Sequence, residues 1–223
     1  MVNIIVSEKP WHSHIAKHMT DSCGGRWFHI SNKSEFTTCA LAALKPTNVF
    51  IPHWSHIIDK EIYENYNCII FHMTDLPYGR GGSPLQNLIA RGHAHTKISA
   101  IRCGKGIDTG DVYLKRPLRL YGTAREIFDR SSTIIEGMIY AIVMENLTPT
   151  PQEGNPTMFR RRKKEQSNIV QLEDLGALYD LIRMLDCEGY PPAFLNTSAL
   201  RIEFKDATLL SNELHASVVI RGI

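Results

Sequence analysis

The stretch Asn67-Cys68-Ile69-Ile70-Phe71, running into His72-Met73-Thr74-Asp75-Leu76-Pro77-Tyr78-Gly79-Arg80-Gly81-Gly82-Ser83-Pro84, decides the fold. Its first part is a short, continuous apolar run, the pattern of a strand buried on both faces. Its second part is dense in glycine and proline and reads as a loop. In open α/β sheets, ligands sit beyond the carboxyl ends of the strands. The loop that begins at His72 is therefore the place to look for chemistry.

Similar runs lie on the amino-terminal side. Val2 to Val6 and Val49 to Pro52 also read as buried strands. Between them, Pro10 to Met19 reads as a helix with proline in its first turn. Ser34 is placed to cap a second helix that ends at Leu44, before Pro46. Ile58 to Tyr66 reads as a helix with Asp59 and Glu61 at its positive end. On the other side, Leu85 to Ala90 is helical, Lys97 to Arg102 and Val112 to Arg119 are strands, and Thr123 to Asn146 is one long helix. Strands alternating with helices predict an α/β, Rossmann-like fold, a mostly parallel sheet with helices on both faces. Residues 1–146 form the expected catalytic domain. The Pro- and Gly-rich segment 147–157 reads as a linker. Residues 158–223 read as a small C-terminal α+β appendage, with a helix from Leu172 to Asp186 and a β-hairpin of Leu200 to Lys205 and Leu214 to Ile220.

The 223 residues are 43% hydrophobic and 22% charged, with a formal net charge of +2, which gives no bulk electrostatic case for a nucleic-acid partner. No apolar run approaches the roughly 20 residues of a membrane span. Met1 to Val6 enters a strand directly, without the pattern of a secretory signal. The five cysteines form no CxxC pair and read as reduced thiols of a cytoplasmic protein. His53 with His56, and His93 with His95, lack the thiolate or carboxylate partners of a metal site, so no metal is expected.

A histidine at a strand end can donate or accept a proton near neutral pH. About twenty-five residues after the His72 loop comes Gly106-Ile107-Asp108-Thr109-Gly110-Asp111, where Asp108 could orient that histidine. The glycines let backbone approach a flat ligand. On the residues alone a structural histidine and a plain turn remain open readings.

The order and spacing of these pieces resemble the folate-dependent formyltransferases, which include methionyl-tRNA formyltransferase, glycinamide ribonucleotide formyltransferase and the sugar N-formyltransferases. That family carries Asn-x-His, then Ser-Leu-Leu-Pro, Arg-Gly and an Asp-x-Gly loop. His72 matches the catalytic histidine and Asp108 the catalytic aspartate. Thr74 to Pro77 falls on the Ser-Leu-Leu-Pro, Arg80-Gly81 on the Arg-Gly, and Pro84 on the following proline. A weaker likeness runs from Met1 to about Phe204. Two departures stand out. Ile70 occupies the place of the family's asparagine, and Asn67 is too far along the strand to substitute. Gly82 stands where some relatives have an arginine near the folate.

The resemblance implies transfer of a formyl group from 10-formyltetrahydrofolate, as formyl-donating cosubstrate, to an amine, without a covalent enzyme intermediate. His72 would stabilise the developing oxyanion and move a proton, and Asp108 would support it. The folate site would include Trp54, Ser55 and His56, together with Thr74, Leu76 and Pro77 and the facing loop Gly104, Lys105, Gly106 and Ile107. Arg80, Arg160 and Arg161 are the expected acceptor-binding residues. The short tail after the long helix, and the wording of the His72 loop, favour the sugar N-formyltransferases of the pseudaminic-acid-pathway type. The expected acceptor is then a nucleotide-linked 4-amino-4,6-dideoxy sugar for surface glycans, with no nucleic-acid or membrane partner. A homodimer is left open, and methionyl-tRNA, another amine, or a non-catalytic folate- or nucleotide-binding module is the alternative.

Overall fold

A computed structural model describes residues 1–223. Eleven strands and six α-helices follow one another along the chain. β1 (Val2–Val6) leads into a 3-10 turn at Pro10–His12 and α1 (Ile15–Cys23), and β2 is Arg26–Ile30. α2 (Thr38–Leu44), β3 (Asn48–Pro52), α3 (Lys60–Asn65) and β4 (Cys68–His72) follow. Next are the short β5 (Arg80–Gly81), α4 (Pro84–Ile89), β6 (His95–Arg102), β7 (Val112–Arg119) and the long α5 (Ala124–Met144). Beyond the short β8 (Met158–Phe159) come α6 (Leu175–Arg183), β9 (Ala193–Asn196), β10 (Leu200–Leu209) and β11 (Leu214–Gly222).

The six-stranded sheet has the order β2-β1-β3-β4-β6-β7. β1 pairs in parallel with β2 and β3, and β3 with β4, whereas β4 and β6 are antiparallel. The expected mostly parallel, Rossmann-like sheet is present, and β9, β10 and β11 form the antiparallel C-terminal appendage. The apolar runs become the core because both faces of the central strands are covered: Ile4, Ile5, Val49, Phe50, Ile51 and Ile69 are fully buried. No helix is long and apolar enough to cross a membrane.

The helices differ in detail from their sequence reading. Pro10 starts a 3-10 turn, which buries Trp11 and His12, and the α-helix begins only at Ile15 and runs to Cys23. Gly24, at φ +66°, ends it. Thr37, not Ser34, caps α2 by accepting from the Ala40 N–H, and Asn32 caps the turn that contains Ser34.

The chain divides into two compact units that do not follow its order. One comprises 1–81, 97–118 and 129–158; the other comprises 82–96, 119–128 and 159–223.

At the amino ends of the parallel strands in the first unit, three asparagines and a tyrosine form a hydrogen-bonded row. Asn48 donates to Asn3 (3.0 Å), Asn67 donates to Asn48 (2.8 Å), and the Tyr113 hydroxyl donates to Asn67 (2.9 Å). Each amide both gives and receives, or receives from the next, so that end of the sheet carries polar side chains with partners.

Candidate active site

His72 is the last residue of β4, and its side chain is only 7% exposed. The pleat puts it on the same face as Ile70, two residues earlier. Its Nε2 lies 2.8 Å from the Gly79 carbonyl, an acceptor, so Nε2 carries a proton. Its Nδ1 faces the Asp108 carboxylate at 3.4 Å. A proton between Nδ1 and that carboxylate can serve either group, which is the arrangement a proton relay needs.

Asp108 reaches His72 by an indirect route. β6 runs antiparallel to β4, so its carboxyl end, Arg102, is level with Ile69 and not with His72. The loop after β6 must come back along the sheet. Its ends are clamped, since the Arg102 N–H donates to the Asp111 carbonyl (2.8 Å). Gly110 passes so close to the Arg102 carbonyl that any Cβ there would collide with it. Asp108 itself sits in left-handed backbone, φ +53°, which aspartate tolerates better than most residues. Its Oδ2 also accepts the Gly81 N–H at 2.9 Å, so one carboxylate oxygen joins the His72 loop to the Asp108 loop.

Gln152 locks this arrangement and was hidden in what reads as a linker. Its amide donates to the Asp108 carbonyl (2.9 Å) and the Gly110 carbonyl (2.7 Å). Its Oε1 accepts from Arg80 Nη2 (2.8 Å) and Nε (3.2 Å). Arg80 thus holds the loop to Gln152 through two of its guanidinium nitrogens. The sequence signal is faint: one amide after Pro151, in a segment rich in turn residues.

The other expected folate residues fall into two groups. Thr74, Leu76 and Pro77 are buried. The Ser99 hydroxyl donates to the Thr74 carbonyl (2.7 Å) and accepts the Leu76 N–H (3.3 Å), so Ser99 fixes the loop from below. Beside them, Lys115 and Lys97 contact Asp75; burial alone would raise that carboxyl, but the two ammonium groups outweigh it and hold it below its ordinary value. Trp54 lies edge-on to Phe36 and to His56, in a cluster that also takes in Ile70 and Cys103. Ser55, Lys105, Gly106 and Ile107 are exposed, while Gly104 is partly buried. His56 is paired with Glu8 at 2.9 Å, which draws that carboxyl below its usual range.

Ile70 belongs to the apolar cluster with Trp54 and Cys103, so no amide projects from the strand beside His72. Asn67 is committed to the row at the opposite end of the strand and supplies no replacement. Cys103 is no nucleophile either: burial, then the charge of Asp108, pushes its thiol up to about 11. The Trp11–His12–His53 cluster was not foreseen. His12 Nδ1 bonds Ser7 Oγ at 2.8 Å, and burial drives His12 down to about 2 and His53 to about 3, so both rings are neutral at physiological pH.

In the second unit, Arg160 and Arg161 are exposed. A Cβ at Gly82 would come within 2.6 Å of Arg161 Cβ, so no arginine fits at Gly82 in this chain. A cavity of about 790 Å³ in the same unit is lined by Ile89, Arg162, Gln166, Asn168, Asp174 and Leu181 among others, and by none of the expected site residues.

Comparison with known proteins supports the formyltransferase family and corrects the expected acceptor. Residues 164–221 match the family described as methionyl-tRNA formyltransferase, C-terminal domain. The structure of methionyl-tRNA formyltransferase from Clostridium thermocellum superposes with a TM-score of 0.96 at 48% identity, over 100% of this chain and 99% of that one. The methionyl-tRNA formyltransferase of Wolinella succinogenes is 26% identical over 76% of this chain and 55% of its own length. The chain thus spans little more than half the length of such curated relatives. A sugar N-formyltransferase from Shewanella shares the fold at a TM-score of 0.72, with only 14% identity. These findings overturn the expectation of a nucleotide-sugar acceptor for glycan synthesis and of no nucleic-acid partner. The error was to weigh the tail by its length: what identifies a domain is the pattern of its residues, and the short tail carries the pattern of the methionyl-tRNA formyltransferase C-terminal domain. With a relative 48% identical along its whole length, the chain belongs to the formyltransferase family and is methionyl-tRNA formyltransferase-like.

Proposed function

We propose that this chain transfers a formyl group from 10-formyltetrahydrofolate to the α-amine of methionyl-tRNA. The observation that carries this reading is the full-length match to a methionyl-tRNA formyltransferase at 48% identity. The match of residues 164–221 to the C-terminal domain of that enzyme supports the acceptor, as do the exposed Arg160 and Arg161 at its edge, which suit phosphate.

In the transfer, the neutral amine attacks the formyl carbon, a tetrahedral oxyanion forms, the bond to the folate nitrogen breaks, and the amine's proton ends on that nitrogen. His72 and Asp108 are the groups suited to carry the proton. The Nε2 proton of His72 is engaged by the Gly79 carbonyl, so donation to substrate requires that contact to be exchanged. Trp54 and the exposed Ile107 offer apolar surface for a flat heteroaromatic donor, and the Gly104 to Gly106 backbone offers close approach. The missing amide at Ile70 leaves oxyanion stabilisation to His72 and backbone N–H groups.

The test is direct. Purified protein with 10-formyltetrahydrofolate and methionyl-tRNA should release tetrahydrofolate and yield formylmethionyl-tRNA, detected by mass after hydrolysis. Binding should weaken steeply with added salt as counterions are released from the RNA. Formylation of small amines with none of methionyl-tRNA would overturn the acceptor.

A further inference from the structure

Outside the His72 site, the first unit brings three metal-ligating side chains together. We propose that His14, His18 and Glu136 form a binding site for a divalent transition cation of the zinc class, with no part in formyl transfer.

His14 is the N-cap of α1 with helical backbone, and His18 lies one turn further on, so both rings project from one face. Glu136 meets them from α5. His14 Nε2 is 3.1 Å from Glu136 Oε2, and His18 Nδ1 is 3.2 Å from Oε1 and 3.3 Å from Oε2. The ligand atoms all lie within 4.8 Å of one another. A charge-assisted N–H···O hydrogen bond is usually shorter, about 2.7–2.9 Å. Tetrahedral bonds of about 2.0–2.1 Å to zinc place neighbouring ligand atoms roughly 3.3 Å apart, close to the imidazole-to-carboxylate spacings here, and the whole set lies within 4.8 Å. A cation would draw the ligand atoms of this set together.

The donors define the class of ion. Two imidazoles and one carboxylate suit Zn²⁺ and its neighbours, and disfavour Mg²⁺ and Ca²⁺, which prefer oxygen. Three protein ligands leave a fourth position for water. The side chains are 38%, 51% and 24% exposed, so water and the ion have access. Bound metal would tie α1 to α5. The sequence signal was His14-x-x-x-His18, a spacing of four at a helix start.

The experiment uses untagged protein stripped with chelator and kept reduced. Calorimetry with Zn²⁺ should show one saturable equivalent, and the melting temperature should rise with Zn²⁺. Co²⁺ should give visible tetrahedral bands without a thiolate charge-transfer band, since none of the five cysteines takes part. Glu136→Gln keeps the size of the side chain and should weaken binding about 10-fold or more, the loss typical of disturbing even an outer-shell partner. The His14→Ala/His18→Ala pair should abolish it. Absence of saturable binding would reduce the cluster to an ion pair and overturn the proposal. Unchanged affinity in Glu136→Gln, or a thiolate band, would equally overturn it by placing the metal elsewhere. Should the double-histidine variant misfold, Glu136→Gln, checked by circular dichroism, decides.

Discussion

The two ends of the parallel strands in the first unit are built on opposite principles. At the amino ends, Asn3, Asn48, Asn67 and Tyr113 satisfy one another in a row. Around the carboxyl ends, His12 is fully buried with Nε2 lacking a partner, and His53 and Asp108 hold left-handed backbone. Each such feature costs stability, of order 1–3 kcal/mol. The same sheet thus has one end whose polar groups satisfy one another and one whose strained or unpartnered groups surround the candidate site. Residues at the first end should matter for folding, and those at the second for turnover.

The largest test of that contrast is at His72 and Asp108. His72→Ala or Asp108→Asn should lower formyl transfer by ~10²-fold or more, the usual worth of a positioned acid–base group. The asparagine tolerates the left-handed backbone and still accepts the Gly81 N–H, so denaturation midpoints should stay close to wild type. Turnover near wild type in either variant would remove the assignment.

Gln152→Ala comes next. It frees the Asp108 and Gly110 carbonyls and Arg80 together, and misplacing a catalytic group by about 1 Å can cost up to ~10²-fold. Single-turnover rates should fall more than acceptor affinity. An equal loss of stability and rate would make Gln152 a packing residue only.

The reactive end should also be acid-sensitive. Folding lowers His12 from 6.5 to about 2, chiefly through burial, so the unfolded chain binds the proton more readily. Its contribution is fully present above about pH 6.5 and is lost as pH falls through the window down to about 2, by roughly 1.4 kcal/mol per pH unit. Urea midpoints measured at pH 7, 6 and 5 should show this slope, and His12→Gln should flatten it by one proton's worth. An unchanged slope would mean that His12 is not the group titrating.

The smallest effects separate the two ends most cleanly. Asn67→Ala should cost about 1–3 kcal/mol by stranding the Tyr113 hydroxyl and the Asn48 carbonyl oxygen, with turnover per folded molecule unchanged. Ile70→Asn should destabilise by a similar amount, because it puts an amide into the Trp54 and Cys103 cluster, and should not raise the rate. A faster Ile70→Asn enzyme with unchanged stability would show that the site lacks an amide that nothing else replaces.

Much of this was legible in the sequence because continuous apolar runs and a Gly-rich loop are local signals. Val2 to Val6, Val49 to Pro52 and Cys68 to Phe71 emerge as central strands. β2 was missed because Arg26-Trp27-Phe28-His29-Ile30 mixes charge and aromatics in a strand only partly buried. His72 and Asp108 could be named from motif spacing, but not how they meet. A reading of strand-end loops places them at the same end, whereas register shows that Asp108 returns from the other. Gln152, the His12 cluster and the meeting of Glu136 with His14 and His18 depend on contacts between distant segments, of which a local pattern such as His14-x-x-x-His18 records at most one side.

The returning Asp108 loop sets a measure of length. With Arg102 bonded to Asp111 and Gly110 against the Arg102 carbonyl, the loop is a closed circuit that cannot take up slack at either end. One residue removed from Gly104 to Ile107 shortens the available reach by up to about 3.6 Å, comparable to the whole gap between carboxylate and imidazole, 3.4 Å. The reach of this loop, and with it the contact between Asp108 and His72, is therefore set by the number of residues between Arg102 and Asp108.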